Sequence, residues 1–144
     1  MELLCSHCQS INRVPNDRLA DSPRCGKCKN PLLSQQVQSV DDHQFNRHLK
    51  HNGVPILVDF WAPWCQPCLQ FAPILSQVAA EFATPMRFLK LDTEQFQKPS
   101  ATFGIRSIPT LILFHQGREI ERLSGALPKQ QFIQWLQKSV ESLI

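Results

Sequence analysis

Apolar runs that alternate with amphipathic stretches predict an α/β chain on a parallel or mixed sheet, preceded by a small cysteine-rich metal module. Three observations carry this. Val54-Pro55-Ile56-Leu57-Val58-Asp59-Phe60 and Met86 to Leu91 are apolar runs of strand length, and between them Leu69 to Phe82 has apolar residues at helical spacing. Cys65-Gln66-Pro67-Cys68 stands where the first run gives way to that helix. Two further Cys-x-x-Cys pairs open the chain.

The 144 residues fit one ordinary domain plus an appendage, and 42% hydrophobic content is enough for a core. A formal net charge of +3 is spread along the sequence, without the Lys/Arg clusters that nucleic acid demands. No apolar stretch approaches the roughly 20 residues of a membrane span. Met1 to Cys8 has neither a basic n-region nor an apolar h-region, so no signal peptide is expected and the chain is placed in the cytoplasm. In that compartment the six cysteines are expected as thiols, metal ligands or catalytic pairs.

Cys5-Ser6-His7-Cys8 and Cys25-Gly26-Lys27-Cys28 are separated by sixteen residues, a spacing read as a zinc ribbon in which two tight turns give four thiolates to one ion. Gly26 suits such a turn, and Pro23 and Pro31 bracket it. With Ile11, Val14, Leu19 and Leu32 as its main apolar content, the segment is too lean to fold by burial. Metal would supply its folding free energy. One structural zinc on Cys5, Cys8, Cys25 and Cys28 is the expectation. His7 is the competing ligand, and a clasp that releases zinc on oxidation is the sharper alternative.

The module spans 1–33, and the polar stretch 34–40 is a linker or an edge strand. The main domain then runs over 41–144. Asp41-Asp42 caps a helix reaching about Asn52, with Gly53 as its stop. The helix after the cysteines carries Phe71, Ile74, Leu75, Val78 and Phe82 inward and contains Pro73, where a kink is expected. A short helix from Glu94 or Pro99 to Phe103 ends at Gly104, and strand, helix, strand, helix makes a right-handed βαβ unit. Thr110 to Phe114 and Glu119 to Leu123 read as a hairpin. Lys129 to Leu143 reads as a closing amphipathic helix begun by Pro128.

Residues i and i+3 share a helical face, and the start of a helix offers unpaired N–H groups and partial positive charge. Cys65 and Cys68 are therefore placed where a thiolate is favoured, and the thiolate is the nucleophile. Thiol–disulfide exchange is the chemistry expected.

From about Ser39 onward the residues resemble the thioredoxin family: Val58-Asp59-Phe60-Trp61-Ala62-Pro63-Trp64-Cys65, Pro67-Cys68, Pro73, the Lys90 strand, Gly104-Ile105, Ser107-Ile108-Pro109-Thr110, Gly117 and Gly125. With the four-cysteine module in front, the chain is similar to that family's zinc-containing thioredoxin 2 type. The resemblance implies a thioredoxin fold, a central mixed sheet flanked by helices. It implies Cys65 as the exposed attacking thiolate and Cys68 as the less accessible resolving thiol. Asp59 is similar to the buried carboxylate that exchanges the Cys68 proton, and Lys90 to the lysine near it. Pro109 matches the cis-proline facing the disulfide, with Ile108 offering backbone to a substrate.

The residues have readings of their own. A carboxylate in an apolar strand titrates high unless paired, as a general base for a thiol needs, although Asp59 near the strand end also fits a solvated position. Lys90 equally suits solvent, and X-Pro bonds are ordinarily trans. Trp64 beside the cysteines suits a surface role at the site.

Two positions depart from the family pattern. Gln66 replaces the usual glycine of Gly-Pro, and Leu69 stands where a basic residue is common. A reducing couple is expected, together with an apolar docking patch of Trp64, Leu69, Ile108 and Ala126. The leading function is protein disulfide reduction, with electrons from an NADPH-dependent thioredoxin reductase and no flavin or nicotinamide bound by this chain, which lacks a Gly-x-Gly-x-x-Gly. A zinc-dependent redox sensor or partner-binding scaffold is the competing class, and an oxidase or isomerase the third. Monomer is the default state, and no membrane partner is expected.

Overall fold

The computed structural model describes residues 1–143. A five-stranded sheet of order β3-β5-β4-β6-β7 forms the centre, built from β3 (Val37–Ser39), β4 (Ile56–Trp61), β5 (Arg87–Asp92), β6 (Thr110–His115) and β7 (Arg118–Ser124). β3, β5 and β4 run parallel, while β6 is antiparallel to β4 and β7 to β6. In front stand β1 (Glu2–Leu4) and β2 (Ile11–Arg13), paired antiparallel, and a 3-10 turn at Asn16–Asp21.

Strand alternation assigns the two faces. Leu57, Phe88, Leu111 and Leu113 point to one face, covered by α2 (Gln66–Glu81) and α4 (Lys129–Glu141) through Phe71, Leu75, Val78, Phe132 and Leu136. Ile56, Val58, Phe60, Leu89, Leu91, Ile112 and Phe114 point to the other, against Phe45 of α1 (Asp42–Lys50) and Phe103 at the end of α3 (Gln97–Thr102). Phe45, Phe60, Phe71, Phe114 and Phe132 are fully buried. Truncating any one to alanine costs about 3–5 kcal/mol, so burial on both faces dominates this domain.

Local signals set the boundaries. Asp41 accepts from the Gln44 N–H at 2.7 Å and Gln44 Oε1 accepts from the Asp41 N–H at 3.0 Å, a capping box that fixes the start of α1. The helix stops at Lys50 with His51 as its cap, short of the expected Asn52 to Gly53. Asn52 is instead drawn into a buried hydrogen-bond network with His48 and Leu4. α2 continues through Pro73, which removes one backbone donor to Leu69. The polar stretch before α1 contributes β3, an edge strand whose Ser39 pairs with Lys90. Gln116 (φ 53°) and Gly117 (φ 80°) make the two-residue β6–β7 turn, whose positive φ values are those of a type I′ hairpin. One residue further along, a bulge between Leu113 and Phe114 shifts the register of β7.

Candidate redox and metal sites

The strand β4 carries the chain out of the core to the first sulfur. Cys65 is the N-cap of α2, with extended backbone, and its Sγ accepts from the Cys68 N–H at 3.2 Å. Pro67 lies in the first turn, where no intrahelical donor is needed. Cys65 and Cys68 form a disulfide with Cα atoms 5.3 Å apart. The expected exposure of Cys65 is not what this oxidised state presents: Cys65 is 4% and Cys68 2% exposed. The bonded sulfurs turn toward each other and are covered by Ala62, Trp61 and Ile108. Trp64, by contrast, is 67% exposed beside them, and Leu69 is 42% exposed on the next turn.

The loop before β6 closes the other side. The Ile108-Pro109 bond is cis, and the Ile108 carbonyl lies 3.7 Å from Cys65 Sγ. Pro109 O accepts from the Gly125 N–H at 2.8 Å, and Thr110 Oγ1 donates to Ser107 O at 2.6 Å, so both ends of this loop are tied to the sheet. Thr93, which sequence reasoning passed over, holds the strand that delivers the cysteines. Its N–H and hydroxyl both donate to Trp61 O, at 2.8 and 3.0 Å.

Alternation along β4 puts Asp59 on the face covered by α2, beneath the cysteine-bearing helix, and in register with Lys90. Asp59 is buried and its Oδ1 has no hydrogen-bond partner. Burial drives its carboxyl up to about 7, against a smaller opposing pull from Lys90. Lys90 is half-buried, with its Nζ 4.9 Å from the Trp61 ring centroid. A neutral carboxylic acid and its anion are thus both accessible near neutrality, as a proton carrier for a thiol requires.

The second cluster gathers the other four cysteines. The Sγ atoms of Cys5, Cys8, Cys25 and Cys28 all lie within 4.8 Å of one another, with Cys5–Cys28 at 3.5 Å and Cys8–Cys25 at 3.6 Å. Sulfurs around tetrahedral zinc, with bonds near 2.3 Å, stand about 3.8 Å apart, so this donor set fits zinc. His7 is exposed and outside the cluster. Backbone N–H groups of Cys8, Lys27 and Cys28 point at the sulfurs, as do the amides of Asn12 and Asn30. The Ser10 hydroxyl leads the interactions that bring Cys25 down to about 5, while burial takes Cys5 up to about 11.

Between this cluster and the sheet lies a polar network that the sequence did not disclose. Asn52 Oδ1 accepts from the Leu4 N–H at 3.0 Å and from Arg87 Nε at 2.9 Å, and Asn52 Nδ2 meets His48 Nδ1 at 2.9 Å. Burial first, then the Arg87 and Arg47 charges, press His48 down to about 3, so it is neutral. The network's one signal in the sequence was Arg87, one of two charged residues inside the apolar run from Met86 to Leu91.

Comparison with known proteins agrees with this architecture. The family model described as Thioredoxin matches residues 36–138. The chain belongs to the thioredoxin family. A second model, described as Thioredoxin 2, N-terminal, matches residues 4–30, the four-cysteine segment. Thioredoxin C-3 of Corynebacterium nephridii is 38% identical over 98% of this chain and 97% of its own length. The thioredoxin of Haemophilus influenzae is 39% identical over 73% of this chain and 98% of its own length. Among solved structures, Malassezia sympodialis thioredoxin superposes with a TM-score of 0.64 at 28% identity, covering 72% of this chain and 91% of that one. Like these thioredoxins, the chain is a thiol–disulfide oxidoreductase. No helix among the described residues is long and apolar enough to cross a membrane.

Proposed function

We propose that this thioredoxin is a protein disulfide reductase of the cytoplasm, acting through Cys65 and Cys68. In the reduced chain, the Cys65 thiolate attacks a substrate disulfide, forms a mixed disulfide and expels one substrate thiolate. Cys68, deprotonated by Asp59, then attacks the Cys65 sulfur and expels the second. Two electrons have passed to the substrate and the Cys65–Cys68 disulfide remains. Trp64, Ile108 and Pro109 would border the bound segment, and Lys90 would moderate the charge of Asp59. An NADPH-dependent thioredoxin reductase would return the electrons. The observation that carries this reading is the Cys65–Cys68 bond at the start of α2, with an unpaired buried carboxylate on the face beneath it.

The four-cysteine module, residues 1–33, would hold one structural zinc on Cys5, Cys8, Cys25 and Cys28. Zinc bound there cross-links two turns that have little core of their own. Trapping tests the reductase assignment: Cys68→Ser should accumulate protein-linked mixed disulfides that a reductant releases, and Cys65→Ser should accumulate none. Equal trapping by the two variants would remove the assigned order of attack.

A further inference from the structure

The interface between the four-cysteine module and the sheet contains a charge that disulfide exchange does not use. Arg87, the first residue of β5, is 5% exposed. Its guanidinium donates to Asn52 Oδ1 at 2.9 Å, to Ser6 Oγ at 2.9 Å and to the Leu4 carbonyl. Leu4 and Ser6 flank Cys5 on either side. All three acceptors are neutral, and among the described residues no carboxylate is within ion-pair reach of Arg87. A cation taken out of water without an anion is strongly unfavourable, so this arrangement calls for a negative group nearby.

The neighbouring side chains do not provide it. Arg47 of α1 also faces the module, donating to Gln9 O at 2.9 Å with its Nε buried and unpaired. His48 is neutral, as described above. The group opposite is the sulfur cluster, for the Leu4 carbonyl and the Ser6 hydroxyl that Arg87 bonds belong to the two residues on either side of Cys5, which is itself buried. Four thiolates around one divalent ion carry two net negative charges, shared over the sulfurs.

We propose that the metal-loaded cysteine centre is the counter-ion of Arg87, and that Arg87 in turn strengthens the module's hold on zinc from across the domain boundary. The coupling is reciprocal, because whatever zinc contributes to seating Arg87, Arg87 contributes to retaining zinc. Arg87 is thus a positioning residue, bonded to the carbonyl and hydroxyl beside Cys5 rather than to the ion. Partners of this kind typically change metal affinity by about 10–100-fold.

The inference rests on the reading of the four cysteines as a zinc site, and chelator competition on the full-length chain separates the two. Arg87→Met removes charge and hydrogen bonds, Arg87→Gln keeps donors without charge, and Arg87→Lys keeps charge without the fork. The zinc dissociation constant should rise about tenfold or more in Arg87→Met and Arg87→Gln, and Arg87→Lys should recover at least half of that loss on a logarithmic scale. A rise below about fivefold in Arg87→Gln, or an Arg87→Lys no better than Arg87→Gln, overturns the proposal. Should Arg87→Met fail to fold, the Gln and Lys pair decides alone. A native chain without zinc would instead sink the zinc-site reading, whereas a loaded native chain with equally loaded variants sinks only the role of Arg87.

Discussion

The same four-residue motif occurs three times in this chain and makes two different kinds of site. In the module, Cys5, Cys8, Cys25 and Cys28 sit in irregular turns with N–H groups directed at sulfur, and two loops bring four sulfurs within 4.8 Å. At Cys65 and Cys68 the motif opens a sixteen-residue helix and the two bond to each other, while the other four cysteines gather among themselves. Backbone context therefore decides the outcome: convergence of four donors invites a metal, while isolation of two at a helix start invites exchange. The regions also differ in what supports them. The sheet has large apolar clusters on both faces, whereas the module's buried side chains are little more than Leu3, Leu4, Val14, Leu32, Cys5 and Cys25.

The largest contrast should appear on removing metal. Structural zinc contributes about 10 kcal/mol or more to such modules. Chelation should therefore release amide protection in 1–33 by hydrogen exchange and leave the strands β4 to β6 protected. Uniform loss across the sheet would mean the two regions are one cooperative unit.

Next in size, Cys65→Ser should lower insulin-disulfide reduction with thioredoxin reductase and NADPH by about a thousandfold, roughly 4 kcal/mol of barrier. Cys25→Ser should leave that rate within a few-fold. Comparable losses in both would erase the distinction between the regions.

Asp59→Asn sharpens the picture inside the redox site. The folded carboxyl, at about 7, lies above its ordinary 3.8, so the folded chain binds that proton more tightly than the unfolded chain does. Its stabilising effect is fully present below pH 3.8, is lost as pH rises toward about 7, and stays lost above. At about 1.4 kcal/mol per pH unit, that gap sets an upper limit of about 4 kcal/mol. Asp59→Asn should thus unfold at higher denaturant at pH 8 than the native chain and lose the decline between acid and neutral pH, while resolving mixed disulfides more slowly. A parallel pH profile for both chains would mean the carboxylate is solvated.

The smallest effect belongs to Gln66, which is exposed beside the sulfurs and donates no hydrogen bond to them. Equilibration with glutathione should show Gln66→Gly moving the potential by about 20 mV, roughly 1 kcal/mol, and a shift above about 60 mV would contradict this account of the dipeptide.

Much of the sheet was readable because its strands are buried on both faces and its helices carry continuous apolar stripes. β4, the hairpin and α4 fall within two residues of their expected bounds, and α2 begins at Gln66, three residues before the apolar spacing that marked it. The four-cysteine cluster was readable from spacing alone, since metal geometry restricts where ligands can stand. Other features had no local signature. β1 and β2 are three residues each and exist through pairing with one another, and β3 is a strand because Lys90 and its neighbours offer an edge. Cys65 is covered by Ile108, forty-three residues away, which no helical pattern encodes. Arg87 bonds Leu4 and Ser6 across more than eighty residues, so its role arises only when the module is docked.

Counting zinc and fast-reacting thiols on one reduced, native sample tests the division of labour most directly. The account predicts one zinc per chain and two rapidly alkylated thiols, mapping to Cys65 and Cys68. Six rapidly alkylated thiols without zinc, or two that map to the N-terminal four, would contradict it.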